Sequence, residues 1–371
     1  MAPLDDIRVL DFTTLLPGPF ATLILAEAGA EVIKVERPGG EDMRNQAPKF
    51  GETGMLFSLL NRGKKSIEID LKRPGAVETL TPLIESSDVL IEQFRPGVME
   101  RLGLGWEAAR AINPRLVYCS ITGYGQSGPK VRDAGHDLNY CADTGVLSTT
   151  RAADGAPVLP LTQLADIGAG SYPAVMNIMF ALWERNRSGA GRYLDISMTD
   201  NLFPFAWMGL GLAQATGAWP LGGDLVLTGA SPRYQIYRAA DGAYLTVGAL
   251  EQKFWDIFCD GLEMAPEFRD DIRDPPATLA EVARLVGQKP GEYWTRQFAG
   301  KDACAVVMRS LEEAFNDTHY RGRGIFRQTL ANGGLNVAAL PVPLAPTFNE
   351  TDKQSGCPTL GGAEALLVEP R

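Results

Sequence analysis

Of the two histidines in the 371-residue chain, His136 and His319, only the first sits where an imidazole could do chemistry. His136 lies in the polar run Ala134-Gly-His-Asp-Leu-Asn-Tyr140, after the fifth strand-like segment. In α/β proteins the loops beyond the carboxyl ends of the strands carry the working residues. An imidazole there, with a reference pKa of about 6.5, can take up and return a proton near neutrality. The plainer alternative is a histidine that only caps its loop by hydrogen bonding. His319, in Asn316-Asp-Thr-His-Tyr-Arg321, has no such setting and is expected on a solvated surface. Asp166 lies in Gln163-Leu-Ala-Asp-Ile-Gly-Ala-Gly170, before an apolar helix expected to start near Gly170. It fits a helix N-cap. It equally fits a reacting carboxyl, beside glycines that admit a ligand and N–H groups that favour a developing anion. Glu251, in Gly248-Ala-Leu-Glu-Gln-Lys-Phe254, follows a strand and opens a helix, where an acidic first-turn residue is the structural alternative.

Cations gather at Arg37, at Arg62 with Lys64 and Lys65, and at Arg95. In a chain with 45 acidic and 35 basic residues and a net charge of −10, such local collection suits a phosphate-bearing ligand; a solvated charged face is the alternative. The overall acidity excludes nucleic acid as an expected partner. Gly168-Ala-Gly170 and Gly189-Ala-Gly191 lack the full dinucleotide fingerprint, and neither a zincin motif, a nucleophile elbow nor a phosphate-binding P-loop occurs. The five cysteines are scattered without metal-ligand or redox spacing, so reduced thiols, no metal and a cytoplasmic location are expected. No secretory or other targeting signal is recognised at either end. Asn201 to Gly223 carries no charge and is long enough for a bilayer. Its Pro204, Pro220, glycines and Gln214 instead point to a buried or subunit-interface helix, with no membrane as partner.

The elements that must position these residues alternate in the first half. Ile7–Phe12, Glu31–Glu36, Ser66–Leu71, Asp88–Glu92 and Arg115–Thr122 read as short strands. Helical segments at Gly18 to Gly29 and Pro74 to Glu85 separate them, the second opening on proline. With a helix at Gly170 to Arg187 and a strand at Arg192–Ser197, the pattern is a parallel sheet covered on both faces. Tyr234–Arg238 and Ala243–Gly248 flank Asp241-Gly242, a hairpin signal, and helical patterns follow at Glu251–Leu262, Thr278–Val286 and Gly291–Ala299. The expected organisation is α/β: a Rossmann-like large domain over 1–200, an apolar linker over 201–224, a smaller α+β domain over 225–320, and a segment over 321–371 that returns to the large domain.

The ordered runs Val9-Leu-Asp-Phe, Pro17-Gly-Pro-Phe, Gly29-Ala-Glu-Val-Ile-Lys-Val-Glu-Arg-Pro-Gly39, Asn61-Arg-Gly-Lys-Lys-Ser-Ile, Phe94-Arg-Pro-Gly97, Thr122-Gly-Tyr-Gly-Gln-Ser-Gly-Pro129 and Arg192-Tyr-Leu-Asp-Ile-Ser-Met198 resemble the class III CoA-transferase (CaiB/BaiF) family over nearly the whole chain. Gly135-His-Asp-Leu-Asn-Tyr140, the Asp166 segment and Gly248–Phe254 look like its α-methylacyl-CoA racemase branch. The resemblance implies an interlocked homodimer whose active site lies between the large domain of one subunit and the small domain of the other. It implies His136 and Asp166 as the two acid/base groups, with Glu251 orienting His136. Arg37, Arg62, Arg95 and Tyr124 would bind the CoA nucleotide, together with Lys64 and Lys65. The implied reaction is inversion of the α-carbon of a 2-methylacyl-CoA thioester by two-base proton transfer through an enolate. Backbone N–H groups of the helix after Asp166 would stabilise the enolate oxygen. Coenzyme A would arrive as part of the substrate, with no further cofactor required. The alternatives are a CoA-transferase using Asp166 as nucleophile, which the weak glycine run Leu221-Gly-Gly-Asp224 disfavours, and a non-catalytic acyl-CoA-binding protein. Met176, Met179, Met198 and Met208 are candidates for a soft acyl surface, with core filling the preferred reading for Met176 and Met179.

Overall fold

In a computed structural model, which describes residues 2–152, 154–348 and 352–368, the chain divides into two units. Met1 and residues 369–371, the ends read for targeting signals, lie outside those described. The first unit gathers Met1–Thr144, Pro160–Pro204 and Thr318–Arg371; the second gathers Gly145–Leu159 and Phe205–Asp317. Gly145–Leu159, which the sequence reading includes in the large domain, thus clusters with the second unit.

The first unit is built on six parallel strands, β1 (Arg8–Asp11), β2 (Glu31–Glu36), β3 (Lys65–Glu68), β4 (Val89–Glu92), β5 (Val117–Thr122) and β6 (Tyr193–Ser197). Their order across the sheet is β3-β2-β1-β4-β5-β6. This is the Rossmann order, in which the chain reverses its direction of travel between the first and fourth strands and opens a crevice at their carboxyl ends. The strands read as almost unbroken apolar runs because both faces are covered. On one face Leu10, Ile33, Ile67 and Leu90 pack with Leu80, Leu83 and Ile84 of α2 (Ala76–Glu85). Alternate residues such as Val9, Val32 and Val89 are fully buried on the opposite side, where α1 (Pro17–Glu27) contacts β1 and β2. Pro74 precedes α2 rather than opening it, since Gly75 takes the left-handed conformation at φ 86° just before the first turn.

Beyond β1 the chain makes a tight loop, and Leu15 within it sits at φ 62°, a left-handed conformation that a leucine adopts at a cost of order 1–3 kcal/mol. A buried ionic network holds the loop there. Asp11 Oδ1 accepts from the Thr13 N–H at 2.9 Å, and Oδ2 accepts from Thr22 at 2.6 Å and from Lys64 Nζ at 3.1 Å. Lys64 also donates to the Pro19 carbonyl at 3.0 Å and to Asn61 Oδ1 at 2.8 Å, while Lys34 donates to the Thr13 carbonyl at 2.7 Å. Burial alone would raise the Asp11 carboxyl, but Lys64 and Lys34 outweigh it and hold the group at about 2. Burial lowers Lys64 to about 8, against the pull of Asp11, so the pair is ionic at neutral pH.

The second unit pairs β7 (Tyr234–Arg238) with β8 (Tyr244–Gly248) across the Asp241-Gly242 turn, and adds β9 (Ala305–Val307) antiparallel to β8. Leu245 and Val247 on one face of this sheet join Trp255, Phe258, Trp294 and Phe298 in a separate core, with ring centroids of Phe258 and Phe298 5.5 Å apart. The charge-free stretch forms a 3₁₀ segment that starts at Asp200 and ends at Ala206, followed by a short helix, Trp207–Thr216, in which Gly209 and Ala213 are buried and Trp207 is 65% exposed. It is therefore an apolar segment left open within the single chain. No helix among the described residues is long and apolar enough to cross a membrane.

Candidate active site

The crevice at the sheet's reversal point is occupied by a cavity of about 530 Å³. Thr14, Leu15 and Pro17 enter it from the loop after β1, Gln93 to Pro96 from the end of β4, Ile121 to Tyr124 from the end of β5, and Met198 from the end of β6. His136 and Asp166 both open into it, as do Arg95 and Tyr124. Each is delivered by a distinct element. His136 is the residue that begins α3 (Asp137–Asp143), its N–H donating to Asn139 Oδ1 at 3.0 Å. The Tyr140 hydroxyl of the same helix donates to the Gly135 carbonyl at 2.6 Å and ties the incoming loop to it.

Asp166 is not the N-cap that its position before an apolar run suggests. It lies inside a π-helix, Leu164–Ser171, that runs on into α4 (Tyr172–Ser188). A π-turn carries an extra residue per turn and is frequent at functional sites. Here it places Ala169 and Gly170 against the protein while the Asp166 side chain faces the cavity. The Ser171 hydroxyl donates to Pro17 O at 2.7 Å and to Asp166 O at 3.0 Å, joining the turn to the loop after β1. The Asp166 carboxyl is pushed up to about 6, first by burial and then by the nearby Asp137 charge, with His136 opposing. It is thus close to half protonated in weakly acidic solution, as a group that both gives and takes protons requires.

The sequence-derived cation set divides. Arg95 is exposed at the cavity and Tyr124 lines it, stacked edge-on against Tyr140 at 5.4 Å. Arg37 is largely exposed, pairs with Asp42 and donates to the Gly40 carbonyl at 3.0 Å; Lys65 is half exposed and paired with Glu31. Arg62 and Lys64 are interior groups, which corrects their reading as ligand-binding cations. Arg62 is ion-paired with Glu27 at 2.8 Å and donates to the carbonyls of Leu59 and Leu340, and Lys64 is spent in the Asp11 network. Glu251 belongs to the second unit, exposed at the residue before α5 (Gln252–Gly261) and without a side-chain capping bond. Neither Arg37, Arg62, Lys64, Lys65 nor Glu251 is among the lining residues of the cavity. Met198 does line it. Met176 and Met179 do not fill the core as expected, being 54% and 38% exposed on α4. Among the described residues no cluster of His, Cys, Asp and Glu could hold a metal ion.

The family model of CoA-transferase family III matches residues 4–364. The chain belongs to that family. Within family III its relatives fall on both sides of the chemistry. It is 36% identical over 348 residues to the human α-methylacyl-CoA racemase, covering 92% of this chain and 86% of that one. It is 31% identical over 376 residues to the acetyl-CoA:oxalate CoA-transferase of Acetobacter aceti, covering 98% and 95%. The crystal structure of a CAIB/BAIF family protein from Brucella suis superposes with a TM-score of 0.83 at 27% identity, over 99% of this chain and 98% of that one.

Two features of this family III site escape sequence reasoning. Gln93 Oε1 accepts from the Gly18 N–H at 3.0 Å, so the residue after β4 fixes the start of α1 across the crevice. Asp137, adjacent to His136, accepts from two backbone N–H groups of the Asp166 segment. Those bonds also alter the expected anion site: the N–H groups of Ala165 and Asp166 are taken by Asp137, and that of Ile167 by the Gln163 carbonyl at 3.0 Å. The start of the π-helix therefore offers no ready donors at these three positions. The only sequence signal for Asp137 is its place beside His136, in a run read for the imidazole alone.

Proposed function

We propose that the protein inverts the α-carbon of 2-methylacyl-CoA thioesters, His136 and Asp166 removing and returning the α-proton on opposite faces. The observation that carries this reading is the pairing, in one cavity, of an imidazole with a carboxyl pushed up to about 6. Neutral imidazole with protonated carboxyl serves one direction, and imidazolium with carboxylate the other. The enolate oxygen formed between them needs donors. The first N–H groups of α3, on Asp137 and Leu138, lack intrahelical acceptors by the geometry of a helix start and lie beside His136. Arg95 and Tyr124 hold the CoA portion, with Arg37 as an exposed cation just after β2 on the same carboxyl edge of the sheet, whereas Lys65 opens β3 on the amino edge. Isotope incorporation tests the reading: incubated in D₂O without any acceptor acid, 2-methylacyl-CoA should gain α-deuterium as it racemises. Racemisation without deuterium uptake, or no reaction until a free acid is added, contradicts it.

The second reading, CoA transfer between carboxylic acids with Asp166 as nucleophile, is favoured by the transferase relatives at similar identity. Against it stands the raised Asp166 carboxyl, since a nucleophilic carboxylate is best kept ionised.

We also propose an interlocked homodimer in which Glu251 of one copy hydrogen-bonds His136 of the other. The exposed Phe203, Phe205, Trp207 and Trp219 of the charge-free stretch support an extensive apolar interface. Sedimentation at low concentration should show only dimer, and an active monomer contradicts the assembly.

A further inference from the structure

We propose that Asp137 is a positioning residue: its carboxylate joins the helix that presents His136 to the π-helix that presents Asp166, and so sets the two proton carriers relative to one another. The inference rests on the racemase reading above. Asp137 Oδ1 accepts from the Ala165 N–H at 2.7 Å and from the Asp166 N–H at 3.0 Å. These are first-turn N–H groups that a helix cannot satisfy internally, and an ionised acceptor binds them more strongly than a neutral one. His136 is the residue immediately before Asp137, so the bridge runs from one reacting side chain to the backbone of the other through a single carboxylate. The other end of the bridge is equally fixed, because Asn139 and Tyr140 hold the start of α3 through the His136 N–H and the Gly135 carbonyl.

The same carboxylate acts on Asp166 through its charge. The titratable groups facing Asp166 from α3 are Asp137, His136, Tyr140 and Cys141. The first turns of α1 and α4, which pack against the π-helix, bring no acidic residue, and Asp195 on β6 is tied to the Gln126 N–H at 3.0 Å. Asp137 is thus the negative neighbour that, after burial, keeps Asp166 able to hold a proton.

Deuterium exchange of each separate enantiomer of 2-methylacyl-CoA tests the proposal. The wild-type protein is measured first: absence of exchange without acceptor acid defeats the racemase reading before any variant is considered. Given exchange, Asp137→Ala should slow the enantiomer that Asp166→Asn fails to exchange, by on the order of 30- to 100-fold, and leave the other within about threefold. Asp137→Asn keeps a carbonyl acceptor but loses the charge. It should hold its rate at pH 8 within about fivefold, while the acid limb of the Asp166-dependent direction moves to lower pH, since Asp166 loses its negative neighbour. Equal slowing of both enantiomers by Asp137→Ala would reduce Asp137 to a general structural residue and overturn the proposal with the racemase reading intact. An unmoved acid limb in Asp137→Asn would overturn it too, and that arm decides the matter if Asp137→Ala fails to fold.

Discussion

His136→Ala and Asp166→Ala should each lower the rate of α-carbon inversion by about a thousandfold or more, because each removes one of two obligatory proton carriers. Loss of inversion should not mean loss of all chemistry. The surviving group can still exchange the α-proton of the enantiomer it faces, so slow deuterium uptake should persist in each variant, from opposite enantiomers. pH adds a second signature. In the direction in which Asp166 removes the proton it must be ionised, and with its carboxyl at about 6 the wild-type rate should fall as pH drops through that value. A transferase would behave otherwise: Asp166 would become covalently modified during turnover and trappable by hydroxylamine, while His136→Ala would have only a modest effect. Trapping of Asp166 together with no solvent deuterium at the α-carbon would defeat the racemase reading.

The largest effect on stability is expected at Lys64. Its ammonium is fully buried and bonded to Asp11, Thr22, Pro19 and Asn61. Lys64→Met leaves Asp11 as a buried carboxylate stripped of its nearest cation, a change that costs about 3–5 kcal/mol in comparable pairs. Lys34 remains close to Asp11 but is already committed to the Thr13 carbonyl and to Glu41, 3.2 Å away. A double variant, Lys64→Met with Asp11→Leu, should regain much of the loss, because an apolar pair of similar volume replaces a buried ion pair at little cost. Urea denaturation of the wild-type protein and the two variants checks this; a loss below about 1 kcal/mol for Lys64→Met would show that the network does not hold the loop. Activity should fall with stability, since the Thr13 and Pro19 carbonyls that the two lysines grip bracket the loop lining the cavity.

The strands that carry the site were legible because a parallel sheet buried on both faces writes itself as consecutive β-branched runs, and His136 follows one of them. Asp166 was legible as a residue but not in its setting. A π-turn differs from an α-turn by one residue per turn, and a stretch as short as Leu164–Ser171 is too brief to show that period in its apolar pattern. Arg62 and Lys64 were misplaced for another reason. Charge reads as surface in a sequence, and the partners that allow their burial, Glu27 and Asp11, are 35 and 53 residues away. Met176 and Met179 fail in the opposite sense: apolar character reads as core, yet both are exposed on α4. The carboxylate of Asp137 is hidden because its role depends on two N–H groups 28 and 29 residues downstream.

The return of the final segment to the first unit sets an order of events during synthesis. Arg44 donates to the Pro358 carbonyl at 3.0 Å and Arg62 to the Leu340 carbonyl at 2.6 Å, across separations of 314 and 278 residues. As the chain leaves the ribosome, the sheet can assemble early and Arg44 and Arg62 can meet Glu36 and Glu27, but each guanidinium lacks one of its carbonyl acceptors until Leu340 and Pro358 have emerged. The second unit, whose long piece ends at Asp317, has all of its sequence available before then. The second unit can therefore complete its core while the first still lacks the segment that supplies the Leu340 and Pro358 carbonyls, which makes that segment a late but integral part of the first unit.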